Sequence, residues 1–97
     1  MKKSSMDYLY KNDNEIVVIS DLQKETQSKV IAQYKSIRKE QKITQVGLAK
    51  ITGIPQPNIT RFESEVSNPT LEMLVKMAAA LGKKVTITFE DLDNKLI

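Results

Sequence analysis

Between Thr44 and Glu65 the chain reads TQVGLAKITGIPQPNITRFESE, and Gly53 with the two prolines that follow it leaves this stretch very few backbone courses. Gly53 takes the left-handed conformation at little steric cost and so ends a helix that Thr44 can cap and to which Leu48 and Ala49 give a narrow apolar face. Ile54 then anchors a turn. Pro55 and Pro57 hold φ near a helical value and lack only N–H groups that a first helical turn leaves unbonded, so a second helix starts there. In it Ile59 and Phe62 recur at the spacing of an inward face, while Gln56, Asn58, Thr60 and Arg61 point elsewhere.

Amide and guanidinium groups on an outward helix face can each make two hydrogen bonds to a base edge in the major groove, Gln or Asn to adenine and Arg to guanine. Thr44-Gln45, Leu48-Ala49, Gly53, Pro55, Gln56 and Ile59-Thr60-Arg61-Phe62-Glu63 together resemble the Xre/Cro-like helix-turn-helix family of DNA-binding domains, over the span Ile31 to Leu81. The resemblance implies a mainly α fold, a five-helix domain like that of Cro and the phage repressors. It also implies a structural ion pair of Arg38 with Glu63. Its DNA-facing set is Thr44, Gln45, Gln56, Pro57, Asn58, Thr60 and Arg61, with Lys39 and Asn68 beside them. Two positions depart from the family pattern: Gly47 replaces a polar residue that could complete a capping box, and Glu65 stands where a glycine commonly follows the second helix.

Composition narrows the function from the other side. A chain of 97 residues fits one small domain with an appendage, and at that size only about two-thirds of the unfolded surface is buried, so a second copy would help it. There is no cysteine and no histidine. That removes disulfides, thiolate and imidazole metal sites and nucleophile–histidine catalysis, and the carboxylates follow no metal or glycosidase spacing. No enzyme, metal or cofactor is expected. No stretch approaches the ~20 apolar residues of a membrane span, and Met1-Lys2-Lys3 lacks the apolar core of a signal peptide, which points to the cytoplasm and, when bound to DNA, the nucleoid. The net charge is +3, and its excess lies between Asp21 and Gln45, where Lys24, Lys29, Lys35, Arg38, Lys39 and Lys42 face three acidic residues. For Lys35, Lys39 and Lys42, solvated helix charge and phosphate contact are equally good readings.

The flanks carry the remaining signals. Residues 1–19 form an N-terminal extension in which Tyr8, Leu9 and Tyr10 sit among charges, followed by the β-branched run Ile16-Val17-Val18-Ile19; a strand over 15–19 is preferred, although the run also suits the start of a helix. Residues 20–82 make the DNA-binding domain. Its first helix starts at Ser20 or Asp21, has Leu22, Val30, Ile31, Tyr34 and Ile37 on its inner face, and is weakest around Thr26 to Ser28, where a break is expected. After the loop Val66 to Pro69, Asn68 or Thr70 caps a last helix with Leu71, Leu74, Ala78 and Leu81 inward and Met73 and Met77 as gap-filling side chains; Gly82 ends it. Residues 83–97 then switch to a period of two: Val85, Ile87 and Phe89 face one way, so a strand is expected that pairs with the run from Ile16 to Ile19 or with the same strand of a second subunit in a homodimer, followed by a tail from Asp91 to Ile97.

That arrangement of flanks is similar to the HigA-type antitoxins of type II toxin–antitoxin systems. The resemblance implies a RelE/HigB-like, mRNA-cleaving toxin as partner beside double-stranded operator DNA, with the complex repressing its own operon. Toxin contact is expected at Tyr8, Leu9, Tyr10, Ile16 and Val18, because these apolar residues lie outside the family match while Ile31, Ile37, Leu48, Ile59, Phe62, Leu74 and Leu81 already fill a core. A free-standing regulator without a toxin remains the alternative.

Overall fold

The computed structural model describes the backbone of residues 8–12 and 15–92, and side chains from residue 18 onward. The basic start at Met1-Lys2-Lys3 and the end of the tail lie outside these residues, as do the side chains of Tyr8, Leu9, Tyr10 and Ile16. The described chain is mainly helical: β1 (Tyr8–Asn12), β2 (Glu15–Val18), α1 (Ile19–Glu40), α2 (Gln45–Thr52), α3 (Gln56–Glu63) and α4 (Leu71–Ala80). Residues 27–86 form one compact unit, and the described residues before 27 and after 86 form another.

Each helix of the larger unit is closed by local chemistry. Thr44 and Thr70 stand in extended conformation before α2 and α4, and their hydroxyls accept from the N–H groups of Gly47 and Met73 at 3.0 Å each. Gly53 ends α2 at φ 77°, donating its N–H to the Ala49 carbonyl. The other three helices end on a shared pattern in which one residue turns left-handed and its N–H, together with that of the next residue, reaches back to two carbonyls. For α4 the residue is Gly82 (φ 72°), with Gly82 N–H to Ala79 O and Lys83 N–H to Ala78 O. For α1 it is Lys42 (φ 59°) and for α3 it is Glu65 (φ 62°), with bonds to Lys39 and Arg38 and to Phe62 and Arg61. Glu65 therefore adopts the conformation that a glycine usually supplies at this exit. The Ser28 hydroxyl donates to its carboxylate at 2.5 Å.

Ile31, Tyr34, Leu48, Ile59, Phe62, Met77 and Leu81 make the core, and Leu48, Ile59 and Phe62 are completely enclosed. Full burial of side chains this size is worth about 1.5–3 kcal/mol each, which makes these three the anchor that fixes α3 against α2. The rings of Tyr34 and Phe62 meet edge to face with centroids 5.1 Å apart. Met77 fills a gap in this core, whereas Ile37, Met73 and Leu74 are packed only on its margin.

Several expectations are corrected. There are four helices among the described residues, not five, because α1 continues unbroken through Thr26 to Ser28. The Gln27 amide donates to the Ser67 carbonyl at 2.9 Å and Ser28 reaches Glu65, so tertiary partners hold a stretch that propensity alone leaves weak. Ile19 opens α1 and is no part of the strand, which ends at Val18. The partner of β2 is β1, antiparallel, with Tyr8 opposite Val18, Leu9 opposite Val17 and Tyr10 opposite Ile16, then an irregularity before Asn12 opposite Glu15. Lys83 to Glu90 takes no place in a sheet among the described residues, since each strand of the ribbon pairs with the other. The buried face of α4 is set by Met77, with Leu81 buried just past the helix end, so Leu71, expected inward, is 58% exposed; Val30 of α1 is exposed as well.

Candidate nucleic-acid interface

The two faces of α3 separate cleanly. Ile59, Phe62 and Glu63 point into the domain, while Gln56, Pro57, Asn58, Thr60 and Arg61 are exposed. Pro55 starts the helix: its carbonyl accepts from the N–H groups of Asn58 and Ile59 at 2.9 and 3.3 Å, so the polar side chains stand on the first two turns. Thr44 and Lys39 are exposed at the ends of neighbouring helices, and Asn68 is exposed in the loop after α3.

Behind this face lies a buried polar cluster centred on Glu63. Arg38 Nε and Nη2 donate to Glu63 Oε2 and Oε1 at 2.8 and 2.9 Å, a two-pronged ion pair with both residues buried. The Tyr34 hydroxyl donates to Oε2 at 2.8 Å, and the Gln45 amide donates to Oε1 at 3.1 Å. Arg38 Nη1 also donates to the Ile43 carbonyl, tying the end of α1 to the start of α2. Burial by itself would raise the Glu63 pKa, but hydrogen bonds from Arg38, then Tyr34, then Gln45 outweigh it and hold the carboxyl below its usual range. Burial first, and the neighbouring Glu63 second, push the Tyr34 phenol far above its ordinary value. The cluster is an anion on α3 held by donors from α1 and α2, and it fixes α3 on both.

The structure thus brings Arg38, Glu63, Gln45 and Thr60 together and leaves Gln56, Asn58 and Arg61 open to solvent. Gln45 is turned inward, with its carbonyl accepting from the Thr60 hydroxyl at 2.8 Å. Tyr34 was legible in the sequence only as an inner-face residue; its place one helical turn before Arg38 was the available sign that both side chains reach the same carboxylate. Thr60 and Ser28 as donors gave no such signal. Among the described residues no cluster of acidic side chains could hold a metal, and no helix is long and apolar enough to cross a membrane.

Comparison with known proteins agrees with this geometry. A family model described as helix-turn-helix matches residues 35–87. An otherwise uncharacterized HTH-type transcriptional regulator of Haemophilus influenzae is 42% identical over 50 residues, covering 52% of this chain and 51% of that protein. The antitoxin HigA1 of Mycobacterium tuberculosis is 36% identical over 55 residues, covering 57% of this chain and 37% of the antitoxin. The match thus spans about half of one relative and little more than a third of the other. A solved toxin–antitoxin module from Streptococcus pneumoniae aligns with TM-score 0.60 and 27% identity over 73% of this chain and 79% of that one.

Proposed function

This chain belongs to the helix-turn-helix family of DNA-binding regulators, which are not enzymes, and we propose that within it the chain is an antitoxin that neutralises a RelE/HigB-like mRNA-cleaving toxin in the cytoplasm and represses its own operon. The observation that carries this reading is the 36% identity to HigA1 antitoxins. The likeness to a toxin–antitoxin module over 73% of the chain supports it.

On DNA, Gln56 and Asn58 read adenine, Arg61 reads guanine or holds phosphate, Pro57 meets a thymine methyl, and Thr44, Lys39 and Asn68 contact the backbone. Operators for such motifs are usually two half-sites about one helical turn apart, so a symmetric homodimer binds. The run from Val85 to Phe89 pairs with its counterpart in the second copy: it alternates, finds no partner strand among the described residues, and leaves Ile87 and Phe89 exposed by 63% and 99%. Toxin contact falls to the ribbon carrying Tyr8, Leu9, Tyr10, Ile16 and Val18, because a lone two-stranded ribbon is marginal in water and gains from a surface to cover it.

Co-expression of this chain with the protein encoded next to it, expected to be small and basic, tests the reading. Co-purification and restored growth are expected, and a chain lacking residues 1–18 should keep its fold and DNA binding but lose protection. A neighbour that is neither toxic nor bound would refute the antitoxin role. It would favour the second reading, a free-standing regulator, which the 42% identity to the H. influenzae protein supports.

A further inference from the structure

The hydroxyl of Thr60 is exposed on α3, between Asn58 and Arg61, yet the direction of its proton is set from inside the protein. An ionised carboxylate can only accept hydrogen bonds, and Glu63 takes donors from Arg38, Tyr34 and Gln45. The Gln45 amide therefore has its NH2 toward Glu63 Oε1, at 3.1 Å; the flipped amide would set oxygen against oxygen. Its carbonyl then faces Thr60 Oγ1 at 2.8 Å and has no proton to give, so the contact exists only if Thr60 donates. A threonine hydroxyl has one proton. Once that proton is spent on Gln45, only lone pairs and a methyl group remain for anything outside.

We infer that Thr60 is a specificity-determining residue that offers DNA an acceptor and no donor, and therefore selects an exocyclic amine in the major groove, N6 of adenine or N4 of cytosine, against guanine. Guanine shows only acceptors there, O6 and N7, and a phosphate oxygen is likewise an acceptor, so neither matches the locked hydroxyl. An unlocked threonine could swing its proton outward and bond to either kind of group. Gln45 is then a positioning residue: it gives the reading surface the polarity that the buried Glu63 carboxylate imposes. The inference rests on the proposed docking of α3 in the major groove and adds to it which chemistry one position accepts.

The test begins with the full-length wild type and a random double-stranded DNA library, from which the preferred site is selected. At each adenine or cytosine of that site the amine is then deleted, using purine for adenine and pyrimidin-2-one for cytosine, and affinity is measured for the wild type and for Thr60→Val, which keeps the shape and removes the acceptor. At one position, amine deletion should weaken the wild type roughly two- to tenfold, the worth of one hydrogen bond, and leave Thr60→Val unaffected. Gln45→Leu should let guanine replace the preferred base at that position, while thermal melting confirms that this variant is folded. Coupling of Thr60 to a guanine O6 or N7 deletion would overturn the inference, and so would absence of coupling at every position. Selection of no preferred sequence at all would instead count against base reading by α3.

Discussion

Glu63→Gln changes one oxygen into NH2 at almost constant volume, and the Glu63 cluster predicts a large loss of stability from it. All four contacts to the carboxylate come from donors: Arg38 Nε and Nη2, the Tyr34 hydroxyl and the Gln45 amide. Whichever oxygen is replaced, two donors then face an NH2 group, and one of them belongs to the guanidinium. Arg38 is only 9% exposed, so its charge stays largely out of water without a counter-charge. Removing one partner of a buried pair costs about 3–5 kcal/mol, against a total stability of about 5–15 kcal/mol for a domain. Urea unfolding of DNA-free protein at pH 7, followed by circular dichroism, reads the change. The double variant Arg38→Met with Glu63→Leu should recover most of the loss, because it removes the stranded charge together with its partner. A Glu63→Gln midpoint within about 0.5 kcal/mol of wild type, or a double variant worse than both singles together, would refute the account.

Because the folded Glu63 pKa is depressed, its contribution is complete above the unfolded value near 4.3 and disappears as pH falls through the lower folded value; melting temperature should be flat near neutrality and drop below about pH 4.5, and Glu63→Gln should flatten that drop. Tyr34 is shifted the other way, so its contribution is complete below about pH 10 and is lost above it, which an alkaline unfolding series compared with Tyr34→Phe would show. Phe89→Asp should yield monomers by light scattering at tens of micromolar where the wild type is dimeric; a monomeric wild type would remove the proposed pairing. Lys42→Val should cost about 1 kcal/mol or more, since a β-branched side chain is strained at φ 59°, while Lys42→Gly should cost little; equal melting temperatures would contradict this reading of the α1 exit.

The parts of the fold that were legible are those decided by chemistry within a few residues. Gly53, Gly82, Thr44 and Thr70 each act on neighbouring backbone groups, and the ends of α2 and the start of α4 follow from them. Where distant partners decide, the reading failed. Thr26 to Ser28 looks like a break until Ser67 and Glu65 arrive from across the domain, and Glu65 adopts a left-handed turn with a side chain partner that no local pattern announces. The strand over 15–19 was legible as β2, but its partner β1 was not, although Asn12, Asp13 and Asn14 are turn-forming residues, because Tyr8 to Asn12 shows no clean alternation of apolar and polar residues. At the candidate site, the family resemblance implied the pairing of Arg38 with Glu63, which the structure shows, but the contacts of the Tyr34 and Thr60 hydroxyls follow from no local pattern.

The division of α3 into an enclosed face and an open one also describes how this regulator could be redirected. Gln56, Pro57, Asn58 and Arg61 are exposed, and substitutions at such surface positions usually change stability by no more than about 0.5 kcal/mol. Sites without shared partners tend to act additively, so these four letters can be rewritten together and a new operator preference assembled one position at a time. Thr60 is the exception, because its hydrogen bond to Gln45 enrols it in the interior. Any reprogrammed version must therefore treat Thr60, Gln45 and Glu63 as one unit, and drift in this lineage should keep the three in step while the other four wander.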